Sequence, residues 1–205
     1  MDRKKLGLLG FAAIALAAIS LASLEFTNVT NWYVNATLPP AMKYAGADTS
    51  ITARNDGSTN YNSYIYVTYS YDKTGLNVTR ISIVGFTGDV TNYTNALKVC
   101  NYYYNGPLTV SIKYIGYTSS SQYPQYVRQF VVYNSYNAQQ WVGFITTGTT
   151  TTTQSGPVTL GQLQPGGCIP LGVYVLVDPS AYSAGVANGK TVLATYEVDI
   201  TFSTT

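Results

Sequence analysis

From residue 61 onward the chain alternates apolar and polar residues with a period of two, in one segment after another. Successive side chains of an extended strand point to opposite faces, so repeated alternation broken by turn residues commits a chain to half-buried antiparallel sheets. The C-terminal third carries the clearest pattern. Leu171, Val173, Val175 and Val177 form one strand face, and Val192, Ala194, Tyr196, Val198, Ile200 and Phe202 form another, opposed by Thr191, Thr195, Glu197, Asp199 and Thr201. Leu108, Val110, Ile112 and Tyr114 share a face in a strand predicted over 108–117, as do Ile65, Val67 and Tyr69 in one predicted over 61–71. Further strands are predicted over 78–86, 96–104, 126–133 and 141–147. Asn105-Gly106 predicts a hairpin turn between 96–104 and 108–117, with Pro107 as the first residue of the second strand. The only helix expected after residue 40 is a short one over 179–184. Eight or more strands indicate an all-β fold, an antiparallel jelly-roll-like sandwich.

The first 22 residues read differently. Basic Arg3, Lys4 and Lys5 precede an apolar stretch over 6–19, and Ser20 and Ala22 supply small residues at its end, the three parts of a secretory signal peptide. Cleavage between Ala22 and Ser23 would then begin the mature chain at Ser23, and membrane contact would be transient. The competing reading is a retained N-terminal apolar helix, as in type IV pilins, processed near Gly7. The expected organisation is a signal peptide over 1–22, an arm and first strand over 23–38, and a sandwich domain over 39–205. In the arm, Leu24, Phe26, Trp32 and Val34 fall on one parity until Pro39-Pro40 ends the run. Such a run is either the ordinary first strand of the domain or a liberated arm that completes the sheet of a neighbouring copy.

Charge narrows the partners. The 11 basic and 9 acidic residues include Arg3, Lys4, Lys5 and Asp2, so the chain beyond the leader holds 8 of each sign. A neutral balance argues against nucleic acid, which needs clustered Lys and Arg, and leaves little self-repulsion to hold copies apart. The two cysteines, Cys100 and Cys168, pair as one disulfide in an exported chain or remain two buried thiols.

Little in the sequence points to catalysis. There is no His, and neither a phosphate loop nor a set of metal-ligand spacings stands out, so no cofactor or metal is expected. Glu197 and Asp199 lie two apart on one strand face, but Thr195 and Thr201 beside them mark that face as solvated rather than as a glycosidase pair. Scattered Asp48, Asp56, Asp72, Asp89 and Asp178 offer calcium ligands without an EF-hand loop. Four sequons, at Asn28, Asn35, Asn77 and Asn92, are candidates for N-glycosylation, against a background composition that generates Asn-x-Thr by chance. The Thr-rich run over 146–153 reads as a hairpin tip, an O-glycosylated patch or, most simply, a solvated loop. Twenty tyrosines imply cross-strand aromatic packing and subunit contacts, or a platform for sugars.

Leu160-Gly-Gln-Leu-Gln-Pro-Gly166, the strand at 171–177, the closing strand at 192–202 and the Asn-rich turn into an alternating strand over 92–115 together resemble the TasA and camelysin family of secreted biofilm-fibre subunits and the archaeal bundling pilus and thread proteins similar to them. The resemblance implies a jelly-roll-like domain that polymerises head to tail with identical subunits by donor-strand complementation, with lateral bundling of fibres. It implies the arm residues Leu24, Phe26, Trp32 and Val34 as the strand that is donated. A carbohydrate-binding or surface-layer module is the alternative of a different class.

Overall fold

The computed structural model describes residues 41–50, 52–54, 61–63, 65–71, 77–188 and 191–204. The expected leader and arm, with the Ala22–Ser23 junction, the anchors Leu24, Phe26, Trp32 and Val34 and the sequons Asn28 and Asn35, lie outside the described residues. So do Asp56 and Asp72.

The described chain is a sandwich of antiparallel sheets, as the alternation predicts. Its strands are β1 (Met42–Ala45), β2 (Thr52–Arg54), β3 (Tyr61–Ser63), β4 (Ile65–Tyr71), β5 (Asn77–Ile83), β6 (Thr91–Cys100), β7 (Leu108–Tyr117), β8 (Val127–Asn134), β9 (Asn137–Thr147), β10 (Thr150–Gln154), β11 (Val158–Leu163), β12 (Cys168–Val177) and β13 (Tyr196–Thr204), with one short helix, α1 (Ser180–Ser183). A six-stranded sheet runs β1-β6-β12-β8-β9-β10, and a three-stranded sheet runs β11-β7-β13. The hairpins β2–β3 and β4–β5 are separate two-stranded sheets.

The core forms where the inward parities of the two main sheets meet. From the large sheet come Leu97, Val99, Val132, Val142, Leu171, Val173 and Val175; from the small one come Leu108, Val110, Ile112, Leu160 and Leu163, all buried. The four residues predicted to share a face of β7, Leu108, Val110, Ile112 and Tyr114, are all buried. At roughly 1.5–3 kcal/mol per large apolar side chain, that one face supplies about 6–12 kcal/mol of burial. The β4–β5 hairpin joins the same core through buried Ile65 and half-buried Val67, Ile81 and Ile83. After β5 the chain runs against β12: a Cβ on Gly85 would stand 2.7 Å from Val175 Cγ1, and Thr87 bridges to Val177.

Three local expectations are corrected. Asn105-Gly106 does not close a hairpin, because β6 and β7 lie in different sheets. The chain between them is a corner organised by Asn101, which is fully buried. Its Nδ2 donates to Gly106 O at 2.9 Å and Leu163 O at 3.2 Å, and its Oδ1 accepts from Tyr104 N–H at 3.1 Å. The stretch over 61–71 is two strands, paired respectively with β2 and β5. The Thr-rich run is not a plain loop but the β9–β10 hairpin, with Thr146 and Thr151 hydroxyls 2.9 Å apart across it. Threonine's branched Cβ favours the extended backbone, and a glycine at φ +60°, Gly148, permits the turn. The predicted helix over 179–184 is present as α1.

Cys100 and Cys168 are joined by a disulfide and stand directly opposite each other on β6 and β12. The Tyr102 hydroxyl donates to Cys168 Sγ at 3.3 Å. Gln164-Pro165-Gly166-Gly167 closes the turn between β11 and β12, with Gly167 N–H on Gln164 O at 2.9 Å and Gly166 at φ +75°. A proline second and a left-handed glycine third are what a type II turn requires.

Candidate assembly site: the open edge of the small sheet

Two main sheets have four edges, and an edge strand offers its backbone donors and acceptors to any further strand. The edges here are β1, β10, β11 and β13. They differ in length, in side chains and in what already occupies their backbone groups.

Three of the four are blunted. β1 is only four residues long, and short edges are poor templates. β10 is five residues, Thr150 to Thr153 on it being exposed, and it has no apolar side chain to bury. β11 has two buried leucines, Leu160 and Leu163, but side-chain amides cap its carbonyls. Gln140 Nε2 donates to Thr159 O at 2.9 Å, Asn134 Nδ2 to Leu160 O at 3.3 Å, and Asn101 Nδ2 to Leu163 O at 3.2 Å. Asn134 is buried, and its Nδ2 also donates to Gln140 Oε1 at 2.7 Å, so the amides lock one another in place. A register shift at Gly161 breaks the ladder further.

β13 has neither the short length nor the amide caps, although its ladder to β7 also shifts register, between Glu197 and Val198. It is nine residues long and pairs along its whole length with β7, from Tyr196 opposite Tyr117 to Thr204 opposite Leu108. Among the described residues no second strand pairs with it and no side-chain amide caps it. Its inward parity, Tyr196, Val198, Ile200 and Phe202, packs against the core yet stays only half-buried, unlike the fully buried faces of β7 and β12. The outward parity carries Glu197 and Asp199, both exposed, with Asp199 opposite Lys113 on β7. Among the described residues, then, six strands form one main sheet and three the other, and the half-buried apolar face of an edge lies along β13.

Tyr196 anchors the start of this edge. Its ring stacks on Phe130 of β8 and lies 5.5 Å from Phe144 and 6.2 Å from Tyr114, centroid to centroid. Its hydroxyl is enclosed and has no hydrogen-bond partner among the described residues. Burial first, and the nearby Tyr114 second, push its ionisation well above the usual tyrosine range. Thr79 Oγ1 on β5 is likewise enclosed and has no partner among the described residues.

The remaining predicted site residues are dispersed. Asn77 opens β5, and Asn92 lies exposed on β6, its Oδ1 accepting from the Tyr133 hydroxyl at 2.8 Å. Asp48 Oδ2 accepts from Asn95 N–H at 2.7 Å. Asp178 accepts from the Ser180 hydroxyl at 2.5 Å and from Ser180 N–H at 2.9 Å and pairs with Arg128 at 3.3 Å, and these contacts, the hydroxyl's foremost, hold its carboxyl below the usual range. Among the described residues no three of Asp, Glu or Cys converge as a metal cluster. Sequence reasoning missed β11 as a strand and the amides that cap it; alternation is weak in Val-Thr-Leu-Gly-Gln-Leu, and long-range amide contacts leave no local signal.

No family model matches the chain, and no curated protein matches it.

Proposed function

We propose that this protein is a secreted structural subunit of an extracellular filament, a pilus or biofilm fibre, which polymerises by donor-strand complementation through its N-terminal arm. The observation that carries the reading is the contrast between edges: β11 is sealed by Gln140, Asn134 and Asn101, while β13, nine residues long, has no strand beside it other than β7 among the described residues and keeps a half-covered apolar face. A strand added beside β13 would gain ladder hydrogen bonds and seat alternate side chains over the core.

The arm over 23–34 has the matching character, with Leu24, Phe26, Trp32 and Val34 on one parity. Burying those four would yield roughly 6–12 kcal/mol, against an association cost of about 4–15 kcal/mol. The arm alone is thus marginal, and neighbouring domains must also pack together. Each copy gives at one end and accepts at the other, a heterologous contact that does not close and so extends as a fibre. Near-neutral charge and the disulfide fit an extracellular polymer. Deleting 23–34 from the exported protein tests the reading: monomers without fibres are expected, and undiminished fibres on electron micrographs would overturn it.

A further inference from the structure

The outer face of the large sheet carries an aromatic shelf built beside an exposed asparagine. Asn92 on β6 stands directly opposite Tyr174 on β12, and Tyr133 on β8 stands opposite Gly172 on β12. Because Gly172 has no side chain, the Tyr133 ring lies across it; a Cβ there would be 2.3 Å from Tyr133 Cζ. The ring thereby reaches β6, where its hydroxyl donates to Asn92 Oδ1 at 2.8 Å. Tyr174 stacks against Tyr133 with centroids 4.8 Å apart and planes 21° apart. Half-buried Trp141 continues the aromatic row, opposite Tyr133 on β9.

Asn92 also begins the sequon Asn92-Tyr93-Thr94. N-linked transfer needs a free carboxamide nitrogen and a hydroxyl two residues on. The Tyr133 hydroxyl engages Oδ1 of Asn92 and leaves Nδ2, which has no hydrogen bond among the described residues, and both Asn92 and Thr94 are exposed. We propose that Asn92 carries an N-linked glycan whose first sugar packs on the half-exposed ring of Tyr174, which is held by its stack on buried Tyr133. In the transfer, a bond forms between Nδ2 and the sugar's C1 as C1 parts from the phosphate oxygen of a lipid-linked oligosaccharide donor. Nδ2 releases one proton, and the lipid phosphate leaves with the bonding electrons.

Substitution at Nδ2 leaves Oδ1 on Tyr133, so the modified side chain keeps its place on the strand. The Tyr174 ring then meets the sugar: a pyranose has an apolar C–H face, and an aromatic face carries partial negative charge that attracts it. A glycan here stands on the large sheet, whereas β13 belongs to the small one, so the inference holds whether or not the chain polymerises.

The test is mass spectrometry of proteolytic peptides from the protein isolated from its native cells. The peptide containing Asn92 should bear a saccharide mass, which Thr94→Ala should abolish and Thr94→Ser should retain. An unmodified Asn92 peptide from native cells would overturn the assignment. The shelf contact is read from melting temperatures: Tyr174→Leu should lower that of the glycosylated protein more than that of the Asn92→Gln protein. Equal drops in the two backgrounds would overturn the packing.

Discussion

The ring of Tyr196 lies on that of Phe130 with centroids 4.4 Å apart and planes 20° apart, which fixes the first residue of β13 to β8 of the facing sheet. The edge strand is thus registered at one end by an aromatic stack while its remaining inward residues, Val198, Ile200 and Phe202, stay half-covered. Tyr196→Ala removes the stack and opens a cavity against Phe144 and Tyr114, and should destabilise the domain by roughly 3–5 kcal/mol in denaturant titration. Tyr196→Phe keeps the ring and removes a hydroxyl that has no partner among the described residues. It should be neutral or stabilising, since relieving an unsatisfied buried group recovers up to about 1–3 kcal/mol.

Alkaline stability follows from the same tyrosines. Burial raises the ionisation of Tyr114, Tyr133 and Tyr196 above the ordinary 10.0. The unfolded chain releases these protons from 10.0 upward while the folded chain retains them. Their contribution to stability is therefore fully present below that pH and is lost as pH rises through the folded values. Melting temperature should decline above that point, and Tyr196→Phe should make the decline shallower. An identical slope in the variant would contradict the assignment.

Asn101 is the corner piece between the two sheets. Asn101→Ala leaves the carbonyls of Gly106 and Leu163 and the amide of Tyr104 without their side-chain partner. At roughly 1–3 kcal/mol for a stranded buried group, the loss should reach several kcal/mol and lower the urea midpoint. Asn101→Asp, which can accept but not donate while ionised, should rescue little of it.

The disulfide closes a stretch of 68 residues between paired strands. Chain-entropy reasoning puts its stabilisation at about 4 kcal/mol. Replacing Cys100 and Cys168 together by serine should lower the melting temperature and leave the β circular-dichroism spectrum unchanged, because the ladder between β6 and β12 continues through Val99–Ile169 and Leu97–Leu171.

Strand identity was legible wherever one face is buried and the other wet. On β7 and β13 the parity of Leu108 and Ile200 reads directly from the sequence because the more buried residue is every second one. Val192 and Ala194 continue the parity of β13 in sequence, yet the strand begins at Tyr196 and Val192 is exposed. There the backbone turns to other partners: Thr118 N–H donates to Thr195 O at 2.8 Å and Tyr123 N–H to Leu193 O at 2.8 Å. The Asn105-Gly106 turn misled for a related reason, since local turn chemistry does not say which sheet the next strand enters. Nor could the sequence reveal which edge stays open, because Asn134 and Gln140 meet β11 only after folding brings β8 and β9 beside it.

The central claim concerns which segment runs beside β13, and from which copy. The most direct measurement is intermolecular cross-linking in assembled fibres, with Thr27→Cys in one tagged population and Thr201→Cys in another. Disulfide-linked pairs that join the two tags are the predicted result. No disulfide-linked pairs between the tags, with cross-links forming instead within single chains in a parallel preparation that carries both substitutions, would contradict the exchange of strands between subunits.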